Sequence, residues 1–199
     1  MTSESAPAFA LPPGVLRRLA DAPRVYVVDN FAGPAEIEHI LTRAADVDAL
    51  HAQGIQTRQD KTGFSFEMPV EGDAVLESLT RRTYRIVGFA NDSGSTLRFR
   101  RYLKGDAHPP HRDEYEIGGS LLMATALLYL TDAAAGGETY FPLAVPEPVS
   151  IQPVRGRLAV WFNYFPDGTV DPHSLHESLL LAEGEKTTLT NFIYSRPRV

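Results

Sequence analysis

The sequence predicts an α+β chain in which helices cover one outer face of a β core. Two observations carry this. Apolar residues recur at helical spacing only before residue 96. Beyond it, short β-branched and aromatic runs succeed one another, separated by Gly, Pro and Asp, near 97–103, 111–116, 120–131, 138–141, 149–152, 157–163, 176–181 and 187–195. Many short strands at turn-bounded intervals are the pattern of a sandwich, barrel or jelly roll.

Element by element, residues 1–12 are small, polar and proline-containing, and read as a flexible tail. Residues 13–199 read as one domain, since two cores would leave each near the small end of the domain range. GVLRRLA at 14–20 reads as a short helix, and PRVYVVDNF at 24–31 as a strand ending in a turn at Gly33-Pro34. Pro34 suits a first helical turn. Ile37, Ile40, Leu41 and Ala44 follow at helical spacing, so 34–47 is expected to be helix. Residues 52–73 read as a polar loop with one strand around Gly63 to Met68. A second helix is expected over 73–89, with Leu76, Leu79, Thr83 and Ile86 on one face, ended by the Asn91-Asp92-Ser93-Gly94-Ser95 run. The β core should then occupy about 96–195.

Composition removes several classes of function. The 199 residues include no cysteine, so disulfides, zinc–thiolate sites, iron–sulfur clusters and thiol nucleophiles are excluded together. A formal net charge of -6 leaves no global cationic footprint for nucleic acid. The longest apolar-rich stretch, Leu121 to Leu130, is too short to span a membrane and is interrupted by Thr125. The N-terminal text lacks a basic leader region and is broken by Pro7, Pro12 and Pro13. The expectation is a soluble cytoplasmic protein.

Six histidines offer metal-ligating chemistry: His39, His51, His108, His111, His173 and His176. His111 stands two residues before Asp113, and on a strand that spacing puts both side chains on one face. An imidazole and a carboxylate on one face are two corners of a metal site. His176, 65 positions later, is the candidate third. Two His and one carboxylate on one face of an octahedron leave three open positions, the arrangement suited to a non-haem Fe(II) oxygenase. His173 and His108 each lie three residues from a chosen ligand, and an odd offset on an extended strand turns them to the opposite face. His39 falls in a helix and His51 in a loop. Lys186 follows His176 by ten residues. A 2-oxo acid that chelates iron through its 2-oxo group and C1 carboxylate needs a cation for its far carboxylate, and a lysine on a flexible stem supplies one. Arg98, Arg100, Arg101 and Arg112 form a local basic cluster, read either as a solvated strand face or as steering for an anionic ligand.

The stretch from Arg101 to Ser195 resembles the catalytic domain of prolyl 4-hydroxylases, members of the 2-oxoglutarate and Fe(II)-dependent dioxygenases. The matching pieces occur in order: Arg101-Tyr102 with Gly105; His111-x-Asp113; Thr125 to Leu130; Gly136-Gly137-Glu138-Thr139 with Phe141-Pro142; Gly156 to Ala159 with Trp161-Phe162-Asn163; Asp171-Pro172 to His176; and Gly184-Glu185-Lys186. The N-terminal Val28-Asp29-Asn30-Phe31 is loosely similar. The resemblance implies a double-stranded β-helix (jelly-roll) core with N-terminal helices packed on one face. It implies Fe(II) held by His111, Asp113 and His176, and 2-oxoglutarate as cosubstrate with its far carboxylate on Lys186. Tyr102 would donate a hydrogen bond to the cosubstrate, and Thr125 and Thr188 would belong to the pocket wall. Ascorbate is implied as a reductant, and dioxygen as a reactant. A carboxylate at Asp113 favours hydroxylation over halogenation, which in related enzymes needs that position empty. Thr187 and Thr188 follow the lysine where the family often has an aromatic, and Glu177-Ser178 follow the distal histidine where it often has a small residue and glycine. The implied substrate is a prolyl residue of a peptide or protein. A free amino acid or small natural product is the alternative, and a non-catalytic metal-binding sensor or scaffold is the alternative of another class. The loop at about 52–72 is expected to be mobile and to close over whichever substrate binds.

Overall fold

The structure, a computed structural model, describes residues 16–60, 62–89 and 96–195. The expected tail at 1–12 and the Asn91–Ser95 turn lie outside the described residues. The described residues open with β1 (Leu16–Ala20) where a short helix is expected, paired antiparallel with β2 (Val25–Val28). Five residues cannot nucleate a stable helix alone, whereas the neighbouring strand supplies partners for the same backbone groups. α1 (Pro34–Ala45) begins at Pro34, and the Glu36 carboxylate reaches back to accept from the Gly33 N–H at 2.9 Å. α2 (Val47–Ala52) follows as a separate short helix.

The expected loop at 52–73 is largely a hairpin of β3 (Thr57–Asp60) and β4 (Gly63–Pro69). Its polar text fits a sheet edge, which is where β3 lies. That placement corrects the reading of the segment as a loop with a single strand. α3 (Ala74–Val87) is capped by Asp73, which accepts from the N–H groups of Val75 and Leu76 at 3.1 Å each. Of its expected apolar face, Leu76, Leu79 and Thr83 are buried, while Ile86 sits at the margin.

The remaining elements are β5 (Thr96–Leu103), β6 (His108–His111), β7 (Glu116–Ile117), β8 (Ser120–Tyr129), β9 (Ala135–Gly136), β10 (Thr139–Phe141), β11 (Val149–Ile151), β12 (Leu158–Phe162), a 3-10 turn at Pro172–Ser174, β13 (His176–Ser178), β14 (Leu181–Glu183) and β15 (Glu185–Tyr194). A large antiparallel sheet runs β1-β2-β12-β8-β15-β5-β4-β3, with β7 added beside β8. A smaller sheet runs β11-β10-β13-β6, and β14 and β9 form a two-stranded ribbon. The β core is therefore not confined to 96–195, because four strands from before residue 96 belong to the large sheet.

Strand alternation gives the large sheet two different faces. Ala124, Ala126 and Leu128 of β8 pack with Leu97, Phe99, Leu189 and Ile193 against Ile37, Ile40, Leu76 and Leu79 of the helices. The helices thus cover one outer face, as expected. On the other side, Tyr129, Ala159 and Trp161 pack with Phe141, Val149 and Ile151 of the small sheet. This is a jelly-roll core, open where the two sheets diverge. No helix among the described residues is long and apolar enough to cross a membrane.

Asp73 also receives Arg43 at 2.8 Å and His39 at 2.8 Å, so it ties α1 to the start of α3. Asp73→Ala should lower unfolding free energy by about 1–2 kcal/mol through the lost cap and tie, measured as a reduced urea midpoint. An unchanged midpoint would show that the cap contributes nothing to global stability.

Candidate active site

His111 ends β6 and His176 begins β13, and the antiparallel register sets the two directly opposite. Their rings lie 4.3 Å apart between centroids. Asp113 completes the group: Oδ1 is 3.8 Å from His111 Nε2, and Oδ2 is 3.8 Å from His176 Nε2. One ligand atom from each of the three residues lies within 4.8 Å of the others. The reason for the convergence differs from the expected one. β6 stops at His111, so Asp113 is not on a strand. Its carboxylate is fixed instead by the Thr125 hydroxyl, which donates to Oδ2 at 2.6 Å.

The tautomers follow from the partners. His111 Nδ1 is 2.8 Å from the Pro109 carbonyl, and His176 Nδ1 is 2.9 Å from the Ser174 carbonyl. A carbonyl only accepts, so each Nδ1 carries a proton, and in the neutral ring each Nε2 then presents a lone pair toward Asp113. Burial pushes the His176 pKa down, with His111 adding to the effect and Asp113 opposing it. His176 is 5% exposed and packs between Trp161 and Phe141, at 4.7 and 5.5 Å between ring centroids. Two imidazoles and a carboxylate, all aimed inward, fit a divalent cation such as Fe(II).

Lys186, the second residue of β15, lies opposite Tyr102 of β5. It is 2% exposed. Its ammonium donates to the Gly137 carbonyl at 2.8 Å and to the Ser178 hydroxyl, and stands 4.2 Å from the centre of the Tyr102 ring. Burial lowers its pKa to about 7, Glu138 partly offsetting this. It has no carboxylate within ion-pair distance among the described residues. Gly137 makes the close approach feasible: its φ is +74°, and a Cβ there would meet Leu181 at 3.1 Å and the Lys186 stem at 3.4 Å. Tyr102 is buried, which pushes its phenol pKa up and keeps its proton in place for donation.

His111, Asp113, His176, Lys186, Tyr102, Thr125 and Thr188 all line one cavity of about 510 Å³. Every expected site residue is therefore brought to one place. Thr125 differs in detail, because its hydroxyl is committed to Asp113 rather than free for a cosubstrate. His173 is turned aside in the 3-10 turn, with Nδ1 2.9 Å from Asp171. His108 corrects the odd-offset argument. Its ring is 4.2 Å from that of His111, and it lines the cavity. The β6–β13 ladder is irregular at this point, so the simple pleat does not hold. Burial, with His111 beside it, takes the His108 pKa down to about 4.

The basic cluster does not act as one patch. Arg98 pairs with Glu67 at 2.6 Å, Arg100 donates to the Thr62 hydroxyl at 2.6 Å, Arg101 lies over Phe64, and Arg112 donates to the Pro172 carbonyl at 3.2 Å. Sequence reasoning missed Ser178 and Asn163 as parts of the site. Period two offered a signal for each: Ser178 is two residues beyond His176, and Asn163 two beyond Trp161.

Comparison with known proteins agrees with this geometry. The family model of the 2OG-Fe(II) oxygenase superfamily matches residues 97–194. Probable prolyl 4-hydroxylase 6 of Arabidopsis thaliana is 26% identical over 219 residues, covering 94% of this chain and 75% of the relative. The viral collagen prolyl hydroxylase of Paramecium Bursaria Chlorella virus-1, solved with 2OG, superposes with a TM-score of 0.70 at 17% identity, over 86% of this chain and 96% of that one. A Trichoplax adhaerens prolyl hydroxylase, solved with a hypoxia inducible factor peptide fragment, gives a TM-score of 0.57 at 16% identity, over 83% and 81%. A jelly roll with this donor set is an iron-dependent oxygenase scaffold. The match over residues 97–194, the prolyl 4-hydroxylase relatives and the His-Asp-His group support a prolyl 4-hydroxylase-like 2OG-Fe(II) oxygenase that uses Fe(II) and 2-oxoglutarate.

His176→Ala should remove tight Mn(II) binding, while His173→Ala should leave the affinity within about threefold, both read by isothermal titration. The opposite pattern would make His173 the ligand.

Proposed function

We propose that this protein hydroxylates a prolyl residue of a peptide or protein, with His111, Asp113 and His176 holding Fe(II) and Lys186 holding the far carboxylate of 2-oxoglutarate. The carrying observation is the pairing of two features in one cavity. Two imidazoles and a carboxylate converge on a point that suits a cation, and a buried ammonium nearby has no carboxylate within ion-pair distance among the described residues. When bound, Fe(II) and 2-oxoglutarate supply the oxidation: 2-oxoglutarate, dioxygen and a C–H bond give succinate, carbon dioxide and a C–OH bond.

The protein's own residues bind, orient and exclude water. Gly137 and Ser178 take up two of the Lys186 N–H groups and so aim the ammonium. Tyr102, whose burial raises its phenol pKa further, offers a hydroxyl donor on the same wall. Trp161 and Phe141 shield His176 from solvent. Ascorbate is proposed as the accessory reductant. The peptide reading has support in the prolyl 4-hydroxylase relatives and in the cavity's outer rim. Tyr115 and Ile117 line it while remaining 56% and 51% exposed, which suits a substrate that continues beyond the cavity.

The test is succinate formation from 2-oxoglutarate with iron present, across proline-containing peptides and free amino acids, with mass spectrometry of the products. Peptides gaining one oxygen atom at proline support the proposal. Turnover confined to free amino acids would move the substrate class, and no succinate with any substrate would favour a scaffold.

Lys186 adds a pH dependence with a definite sign. Its free-state pKa of about 7 means the ammonium is present below that pH and lost above it. An anion bound against it raises that pKa. Binding of 2-oxoglutarate to the metal-loaded protein should therefore take up a proton above pH 7 and weaken as pH rises, by up to about tenfold per unit. Titration in buffers of different ionisation enthalpy measures the uptake, and a pH-independent affinity with no uptake would contradict it. Lys186→Ala should raise the 2-oxoglutarate KM by about 10- to 100-fold, the worth of a charge-assisted hydrogen bond. An unaltered KM would assign the anchor to another cation.

A further inference from the structure

We propose that Thr125 and Asn163 are positioning residues that act through Asp113, forming a hydrogen-bond relay of fixed polarity that presents the carboxylate to the metal. The inference rests on the assignment of Asp113 as a ligand. Asn163 sits just past the end of β12 and is fully buried, at 0% exposure, and Thr125 on β8 is 1% exposed. Asn163 Nδ2 donates to the Leu122 carbonyl at 3.1 Å and to Thr125 Oγ1 at 3.2 Å. The first partner accepts only, which settles the amide's orientation. With its oxygen already accepting from Asn163, the Thr125 hydroxyl directs its single proton to Asp113 Oδ2 at 2.6 Å. Oδ2 is thereby loaded with a hydrogen bond, and Oδ1, on the His111 side, is left to ligate.

Asn163 is tied to the other ligand-bearing segment as well. Its carbonyl accepts from the Asp171 N–H at 3.0 Å, at the start of the turn that delivers His176. Its backbone N–H donates to the Met123 carbonyl at 2.9 Å. One residue thus braces Asp113 through its side chain and the approach to His176 through its backbone. Outer partners of this kind typically govern metal affinity by about 10- to 100-fold.

The test is Mn(II) titration of the full chain without cosubstrate, beside the visible d–d spectrum of the Co(II) form. Thr125→Val keeps shape and removes the hydroxyl. It should weaken Mn(II) by about 10- to 100-fold and shift the Co(II) bands. Thr125→Ser keeps the hydroxyl and should restore both. Asn163→Leu, which leaves Thr125 in place but removes the donor that orients its hydroxyl, should give a smaller loss with a spectral shift in the same direction. Wild-type affinity and spectrum in Thr125→Val, or equal losses in the Val and Ser variants, would overturn the relay. Wild-type behaviour in Asn163→Leu would remove Asn163 from it. If the unsubstituted protein binds no Mn(II), the triad assignment falls and the relay with it, whereas binding that Thr125→Val preserves refutes the relay alone.

Discussion

Two imidazole nitrogens, each with its lone pair turned inward, face the oxygens of one carboxylate at 3.8 Å. Nothing in that arrangement is mutually attractive. The ring protons are committed to the Pro109 and Ser174 carbonyls on the far sides, so neither imidazole donates to Asp113. Only a cation at the centre makes the three groups cooperative. The surrounding structure holds them in place, and so bears the cost of keeping like-natured electron pairs together before the metal arrives.

The fold supplies that rigidity from several directions. The small sheet sets His111 and His176 opposite one another across two strands. The large sheet supplies Thr125 from its central strand and Lys186 from the neighbouring one, with the helices packed behind. The cavity is therefore the gap between two sheets whose strands cannot shift without losing ladder hydrogen bonds. Lys186 shows the same logic with the opposite charge. An ammonium is buried beneath an aromatic ring, its pKa drawn toward neutrality by that burial.

Much of this was legible in the sequence. His111, Asp113, His176 and Lys186 were legible from side-chain type and spacing together with the resemblance of the Arg101–Ser195 text to prolyl 4-hydroxylases. The later strands were legible because β-branched and aromatic runs are bounded there by Gly, Pro and Asp, and both main helices because their apolar residues recur at helical spacing. The failures have physical causes. Leu16–Ala20 has helix-like apolar spacing, yet pairing with β2 outweighs it in so short a segment. Thr57–Asp60 reads as loop because an edge strand exposed on both sides has no apolar alternation to display. Asp113 was placed correctly for the wrong reason, since a hydroxyl from another strand, not a shared pleat, turns it inward. His108 was turned the wrong way because the ladder irregularity beside Pro109-Pro110 has no one-dimensional signature. Asn163 was harder to see, because its side-chain partner Thr125 lies 38 residues away in the chain.

The most direct measurement is the visible absorption of the protein mixed anaerobically with Fe(II) and 2-oxoglutarate. Chelation of ferrous iron by a 2-oxo acid produces a charge-transfer band that neither partner shows alone. The account predicts the band in the unsubstituted protein, its loss in His176→Ala, and its recovery in Lys186→Ala only at much higher 2-oxoglutarate. No band in the unsubstituted protein, or an undiminished band in His176→Ala, would contradict the site described above.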